Sequence, residues 1–327
     1  MSERIPKSPP VIAPVAGISR PLWSVMIPAY NCIQYLRHTL ESVLAQDPGP
    51  SLMQIEVVDD CSTDGDVAAL VEEVGKGRVH FYRQEHNKGS LRNFETCLNR
   101  SRGQWIHILH GDDLVKQGFY EEIHQLFTSC PEAGAALTNH SYMDEQGIEL
   151  SSGEKIKDEP GLIEDWLEKI SQKNLVQPPA IVVKRTVYEK IGGFFAVHYG
   201  EDWEMWVRIA ARYPVAYSPK LLASYRLHTN NITTRSFSTG QCVDDITKVI
   251  SIVQGYFPEH QRKKVKKRAS RSYSLYFAIS SHALYHAQKN PKAALKVATK
   301  ALQMDQNIAT LFWSLRLFTK YFFHYKR

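Results

Sequence analysis

Hydrophobic positions in the first half of the chain follow two alternating rhythms. Short apolar runs at 23–27, 55–58, 79–82, 105–109 and 135–138 have the length and composition of buried strands. Between them, apolar residues three and four apart mark helices. Residues 33–46 carry Leu36, Leu40, Val43 and Leu44 and stop at Asp47-Pro48-Gly49-Pro50. A short helix is predicted at 66–74, one aligning Leu91, Phe94 and Leu98 at 90–99, and another at 118–129. Strand and helix in this alternation predict βαβ units, hence an α/β fold with a mostly parallel central sheet flanked by helices. After about residue 150 the rhythm weakens. A helix is predicted at 162–170, a strand at 181–183, and a helix at 203–213 opened by Tyr199-Gly200-Glu201-Asp202. From Gln261 the pattern is helical throughout, with Ala294, Leu295, Val297, Ala298 and Leu302 forming a small-residue helix over 291–303. Near the end, Leu311, Leu315, Phe318, Phe322 and Tyr325 share one helical face, and Arg316, Lys320 and Arg327 lie opposite.

Composition bounds this picture. The 327 residues, 43% hydrophobic and 23% charged, suit one large domain or two smaller ones. The cysteines Cys32, Cys61, Cys97, Cys130 and Cys242 are scattered without paired or metal-type spacing. That pattern fits a reducing, cytoplasmic compartment and argues against a disulfide framework. Residues 1–21 are rich in Pro and Ser, do not read as a signal peptide, and are expected to be a flexible lead-in. Charge is uneven: from Gln261 to Arg327 there are 15 Lys and Arg against the single acid Asp305. That segment is +14 within a chain of net +6, so the preceding residues carry −8. An acidic body with a basic tail places a boundary near 240–262. The tail suits peripheral contact with the inner face of a membrane, packing on the body, or an acidic partner surface such as a homodimer. No nucleic-acid-binding module accompanies the charge.

Candidate chemistry gathers at the predicted strand ends, where parallel sheets build their sites. Asp112-Asp113 follows the fourth strand; adjacent carboxylates there suit a divalent ion carrying a phosphate, or simply a capped turn. Asp59-Asp60 follows the second strand and could accept from ribose or base, with Ser62 or Asp64 as a helix cap. Lys88 and Arg92 flank a glycine at a helix start, a setting for a diphosphate or for a solvated loop. Asp202, also beside a helix start, is a candidate general base or a cap. Trp203 offers a flat face for a sugar ring or packs in the core, and Trp206 is assigned to the core. His228 is a metal ligand, a phosphate contact or structural.

Taken in order, these segments resemble glycosyltransferase family 2, the inverting family with the GT-A fold, over residues 24 to about 231. Val25-Met26-Ile27-Pro28-Ala29-Tyr30-Asn31 resembles the opening strand and nucleotide loop, and Val57-Val58-Asp59-Asp60-Cys61-Ser62-Thr63-Asp64 the uridine-binding segment. Asn87-Lys88-Gly89 through Arg92-Asn93 resembles the loop that reaches the donor, and Leu109-His110-Gly111-Asp112-Asp113 the metal segment. Ile191-Gly192-Gly193-Phe194 and Gly200-Glu201-Asp202 resemble the acceptor-side motif and catalytic base, and Tyr225-Arg226-Leu227-His228 the closing motif. The resemblance implies nucleotide-sugar contacts from Pro28, Ala29, Tyr30, Asp59, Asp60, Lys88, Arg92 and Asp112. It implies a Mn2+ or Mg2+ site on Asp113, Asp112 and His228, a base at Asp202, and Glu201 and Trp203 on the acceptor side. The implied domains are a GT-A domain over 22–240, with a donor half at 22–115 and an acceptor half at 116–240, and a basic helical region at 241–327. The implied reaction takes a nucleotide-diphosphate sugar, UDP favoured, to a glycan or lipid-linked acceptor in cell-surface glycan synthesis. Rival readings are a non-catalytic nucleotide-sugar-binding or scaffold protein, and a sugar nucleotidyltransferase. The latter is disfavoured because Pro28-Ala29-Tyr30-Asn31 lacks a Gly-rich basic loop. Two positions depart from the family. Cys61 stands where glycine is usual, and His110 where a further carboxylate often precedes the pair, leaving the ion fewer protein charges.

Overall fold

In a computed structural model, which describes residues 3–15, 17, 19–229, 231–286 and 289–323, the apolar runs become strands of one sheet. In chain order the strands are β1 (Trp23–Ala29), β2 (Met53–Asp59), β3 (His80–Arg83), β4 (Trp105–Ile108), β5 (Leu114–Val115), β6 (Ala135–Met143), β7 (Glu149–Ser152), β8 (Gly161–Leu162), β9 (Ile181–Lys184) and β10 (Val215–Arg226). The helices are α1 (Ile33–Leu44), α2 (Val67–Gly75), α3 (Ser90–Arg100), α4 (Phe119–Ser129), α5 (Trp166–Ile170), α6 (Arg185–Ile191), α7 (Glu201–Ala210), α8 (Ile232–Thr239), α9 (Gln241–Val253), α10 (Glu259–His286), α11 (Pro291–Met304) and α12 (Ile308–Phe322).

Packing divides the chain into two units. The first holds residues 1–166, 175–196 and 212–227; the second holds 167–174, 197–211 and 228–327. This division differs from the boundary that charge alone draws near 240–262, because the segment carrying Asp202 belongs with the C-terminal helices.

The first unit contains the sheet, in the order β3-β2-β1-β4-β9-β6-β10-β5, with β7 on β6 and β8 on β10. It is parallel through β3-β2-β1-β4 and between β6 and β10. β9, β5, β7 and β8 join antiparallel, so the whole is a mixed sheet. The first four strands are linked through helices and must run parallel, whereas the short later strands return without a full crossover. β1 and β2 are buried at every position, as strands covered on both faces must be. Val25, Ile27, Ile55 and Val57 share a core with Leu36, Leu40 and Val43 of α1 and with Phe119, Ile123 and Leu126 of α4.

Two expectations fail here. The helix predicted at 162–170 is only α5; Leu162 pairs with Ala216 of β10 instead, and Asp165 turns the chain at φ 53°. Its apolar residues follow helical spacing, but the β10 edge captures the first of them. The start of the chain, expected to be a flexible lead-in, is strapped to the first unit. Gly193 and Ala196 donate backbone N–H bonds to the carbonyls of Pro10 (2.8 Å) and Pro6 (3.0 Å). Ile12 is buried, and the Arg185 guanidinium donates to Ala13 O at 2.9 Å. A proline-rich segment cannot pair its backbone internally, so these carbonyls find donors on the body.

The second unit is helical. Ala293, Ala294, Val297, Ala298 and Ala301 form the buried stripe of α11, as the small-residue pattern predicts. α12 buries its small and polar side. Its buried positions are Thr310, Ser314 and Leu317, tied in by Thr310 Oγ1 with Ser274 Oγ (3.0 Å) and by the Trp313 carbonyl with His282 (2.9 Å). Ile308, Leu311, Phe312, Leu315 and Phe322 of the same helix are exposed. Tyr325 and Arg327 lie outside the described residues.

Candidate active site

The register of β1, β2 and β4 brings their C-terminal ends to one edge. Ala29 sits opposite Asp59, and Met26 opposite Ile108. Backbone bonds continue the alignment past the strands: Asp60 N to Ala29 O (2.8 Å), Leu109 N to Met26 O (3.0 Å) and Gly111 N to Pro28 O (3.1 Å). Pro28-Ala29-Tyr30, Asp59-Asp60 and Asp112-Asp113 therefore converge, as the strand-end reading requires. A side chain at Gly111 would place its Cβ 2.9 Å from Cys32 Sγ and 3.4 Å from Pro28 O, so this close approach of loops needs glycine.

Asp59 and Asp60, assigned to the nucleotide, are each occupied by protein donors. Asp59 is fully buried, accepts from Ser62 N (3.1 Å) and Ser62 Oγ (2.5 Å), and pairs with Arg83 (2.5 Å). Asp60 accepts from Lys88 N (2.7 Å), Gly89 N (2.8 Å) and Asn87 Nδ2 (2.9 Å). Burial raises the Asp60 pKa, and the Lys88 and Gly89 N–H groups oppose the shift. Asp60 thus fixes the loop that opens α3 and presents Lys88 and Arg92. Arg92 bonds Glu95 (2.6 Å) and the Glu3 carbonyl (2.9 Å), while Arg4 reaches Asn87 Oδ1. The N-terminal strap therefore covers this loop, which composition gave no reason to expect. Tyr30 is 44% exposed. Cys61 has φ 65°, the left-handed conformation that explains why glycine is usual there.

The metal segment carries the most unusual chemistry. Asp113 is 1% exposed. Its Oδ1 accepts the Arg226 backbone N–H at 2.9 Å, but its buried Oδ2 has no hydrogen-bond partner among the described residues. Burial, then the neighbouring Asp112 charge, push its carboxyl well above the usual range, and Arg226 acts against them. A buried carboxylate oxygen without a donor is costly unless a cation meets it. The residues therefore fit a divalent ion. His110, Asp112 and Asp113 can bring one ligand atom each within 4.8 Å of one another. The His110 ring stacks on Phe94 (centroids 5.2 Å, planes 8° apart), and burial lowers its pKa.

Arg226 is a site residue that sequence reasoning missed, although Tyr-Arg-Leu-His was its signal. Nearly fully buried, it spans the loops, donating to Asp112 O (2.8 Å), Asp144 O (3.1 Å) and Glu145 O (3.0 Å). Its guanidinium also lies 4.7 Å from the centre of the Tyr35 ring. It sets Asp113 in place through its backbone and holds the metal segment through its side chain. His228, expected as a ligand, opens a stretch of the second unit, and its carbonyl accepts from Thr234 Oγ1 at 3.1 Å.

In the second unit Asp202 lies in the first turn of α7, after Gly200 at φ 90°. Its Oδ2 accepts from Asn174 Nδ2 at 2.9 Å and its Oδ1 from Trp203 N at 2.7 Å. Burial raises its pKa from 3.8 to about 6, with those two donors holding it down. Glu201 is more buried, and burial followed by the Asp202 charge raises its pKa well above the usual range. Asn174 is a second partner that no local motif announced, since it comes from a distant stretch of chain. Trp203 is placed differently from the sugar platform expected of it. It is 0% exposed, its Nε1 donates to Ile170 O at 2.6 Å, and its ring packs 4.6 Å from Tyr273. Both ring faces are covered because the helix must bury its apolar side. Trp206 is buried, as expected.

Comparison with known proteins places this arrangement in a class. The model of "Glycosyl transferase family 2" matches residues 24–192, just over half of the chain. The chain belongs to that family, and its fold is GT-A. An uncharacterised protein of Mycobacterium tuberculosis is 27% identical over 71% of this chain and 76% of its own length. The putative teichuronic acid biosynthesis glycosyltransferase TuaG of Bacillus subtilis is 33% identical over 40% of this chain and 51% of its own. The succinoglycan biosynthesis protein ExoO of Rhizobium meliloti is 28% identical over 40% of this chain and 34% of its own. Among solved structures, residues 1–349 of S. aureus TarS in complex with UDP-GlcNAc superpose with a TM-score of 0.63 at 15% identity, covering 86% of this chain and 81% of that one. The mannosyltransferase PcManGT from Pyrobaculum calidifontis, in complex with GDP-Man and Mn2+, has a TM-score of 0.57 at 16% identity, covering 99% and 92%.

Proposed function

We propose that the protein is an inverting glycosyltransferase that moves a sugar from a nucleotide-diphosphate donor, with UDP favoured, to an acceptor hydroxyl in cell-surface glycan synthesis. The observation that carries this reading is the buried Oδ2 of Asp113, without a hydrogen-bond partner among the described residues, at the strand ends beside Asp112. Relatives named for teichuronic acid and succinoglycan synthesis support the glycan class, and the neighbour holding UDP-GlcNAc supports the nucleotide.

The roles follow from the residues. Pro28, Ala29 and Tyr30 receive the base and ribose. Asp60 positions the loop from which Lys88 and Arg92 face the diphosphate, and the N–H groups opening α3 add to that field. Asp113, Asp112 and the residues around them hold Mn2+ or Mg2+. When bound, such an ion neutralises charge on a departing diphosphate. Asp202 takes the acceptor hydroxyl proton, with Glu201 beside it on the acceptor side. The freed oxygen bonds to the anomeric carbon, the bond from that carbon to the diphosphate oxygen breaks, and the nucleoside diphosphate leaves with inversion. In Asp202→Asn, transfer should be lost while UDP binding persists; undiminished transfer would remove Asp202 from the role. Binding of donor without product in the wild type would point to a scaffold, and pyrophosphate release to a nucleotidyltransferase. A thermal-shift panel of UDP, dTDP, GDP and CDP with Mn2+ tests the choice of nucleotide.

The same reading places the protein at the cytoplasmic membrane surface, near a lipid-linked acceptor. No helix among the described residues is long and apolar enough to cross a membrane. α12 instead shows solvent an apolar face of Leu311, Phe312, Leu315 and Phe322, with Arg316 exposed on the same helix. In α10, Arg262, Lys263, Lys264, Lys266, Lys267, Arg268 and Arg271 are all exposed. An outward apolar stripe with basic neighbours suits an anionic bilayer interface. Phe312→Ser, Leu315→Ser and Phe322→Ser together should release the full chain from phosphatidylglycerol vesicles. Unchanged vesicle binding would exclude α12 as the anchor, and a loss of dimer mass instead would assign the face to a second copy.

A further inference from the structure

We infer that His110 is itself a ligand of the divalent ion, completing a set of one imidazole nitrogen and two carboxylates that favours transition-metal ions over Mg2+. The inference rests on the metal-dependent reading above and adds to it a ligand and a class of metal. In the sequence this residue counts as a lost carboxylate; in the fold it returns as a different donor at the same place.

Three observations carry the inference. The first is distance. Ligands held about 2.1 Å from one ion stand between about 3 Å apart when adjacent and about 4.2 Å when opposite. His110 Nδ1 and Asp113 Oδ2 are 3.9 Å apart, inside that interval and beyond hydrogen-bond reach. The second is the need of Asp113. Its Oδ1 is committed to the Arg226 N–H, while its buried Oδ2 has no hydrogen-bond partner among the described residues. An ion between the ring and the pair answers that oxygen. The third is rigidity. The His110 ring lies flat on Phe94, and Phe94 meets Phe194 edge-on at 5.3 Å, so the imidazole is held in position before any ion arrives. Its side chain keeps 24% exposure, which leaves an approach from solvent.

Ligand chemistry then sets the preference. Mg2+ takes oxygen ligands and retains its waters, whereas imidazole nitrogen suits later first-row ions. Mn2+, Co2+ and Zn2+ should therefore gain from His110, and Mg2+ should not. A carboxylate at this position would serve both groups of ions and remove the discrimination.

The test uses the full chain with Mn2+ and UDP. Electron spin-echo modulation should show coupling to a single imidazole nitrogen that shifts when the protein is labelled with 15N-histidine. In His110→Asp the coupling should vanish, and the ratio of Mg2+ to Mn2+ dissociation constants should fall about tenfold or more. The wild-type spectrum needs no variant, so a poorly folded substitution does not remove the test. Bound Mn2+ without nitrogen coupling, or coupling that survives in His110→Asp, overturns the role of His110 and leaves metal-dependent donor binding standing. Absence of any Mn2+ binding with UDP present overturns both.

Discussion

Replacing Asn174 by Ala offers a test of the proposed base that does not remove the base itself. Asp202 titrates at about 6, raised mainly by burial and held down by the N–H of Trp203 and the amide of Asn174. A hydrogen bond to a charged group is worth about 1.5–3 kcal/mol, and water replaces part of it at a partly exposed site. A net loss of about 1.4 kcal/mol is one pH unit, so the Asn174→Ala limb should move from about 6 to about 7. The sign is upward, because the lost bond stabilises only the ionised form. Glu201 beside it is also raised, by burial and then by the Asp202 charge. A base with a pKa of about 6 is about 90% ionised at pH 7 and about 10% ionised at pH 5. kcat/KM should then fall about tenfold across that range, whereas an unshifted aspartate near 3.8 would lose less than about a tenth. The assay is nucleotide release from the donor at saturating metal, between about pH 5 and 8. The affinity for UDP with Mn2+ is measured at each pH, so that titration in the metal segment is read separately. A wild-type limb near pH 4, or a limb that does not move in Asn174→Ala, would refute the assignment of Asp202 as base.

Two further outcomes test the donor side. Asp60→Ala removes the acceptor for Lys88 N, Gly89 N and Asn87 Nδ2. It should lower unfolding free energy by about 3 kcal/mol and weaken UDP binding, seen by denaturant titration and calorimetry; intact affinity would mean that the loop does not depend on this anchor. Gly111→Ala drives a methyl group to 2.9 Å from Cys32 Sγ and should destabilise by about 1–3 kcal/mol. Adding Cys32→Ala should recover part of that loss, and strictly additive effects of the two would show that the contact is not the cause.

Much of this protein was legible in the chain because its signals are local. Apolar runs about four residues long, separated by helical spacing, gave the first four strands and three of the helices between them. That regularity exists because each βαβ unit buries its own faces. The convergence of Pro28-Ala29-Tyr30, Asp59-Asp60 and Asp112-Asp113 was readable for the same reason, since parallel strands bring their C-terminal ends to one edge. What was hidden depends on partners far away in sequence. No pattern near Asp60 tells that its oxygens are taken by Lys88 and Gly89, or near Asp113 that the Arg226 backbone N–H bonds its Oδ1. The same holds for the Asn174 bond to Asp202, for the burial of Trp203 against Tyr273, and for the N-terminal strap over Arg92. α12 is the sharpest case. Its amphipathic pattern was plain, but which side faces inward was decided by Ser274 and His282 of α10, which select its small and polar face. Sequence alone therefore determined the family, the order of the first four strands with the helices between them, and the edge where the chemistry gathers. Tertiary structure decided which carboxylates hold loops and which oxygen has no hydrogen-bond partner among the described residues. Periodicity records only the burial of each element, while hydrogen-bond partners and charge environment are properties of the assembled space between elements.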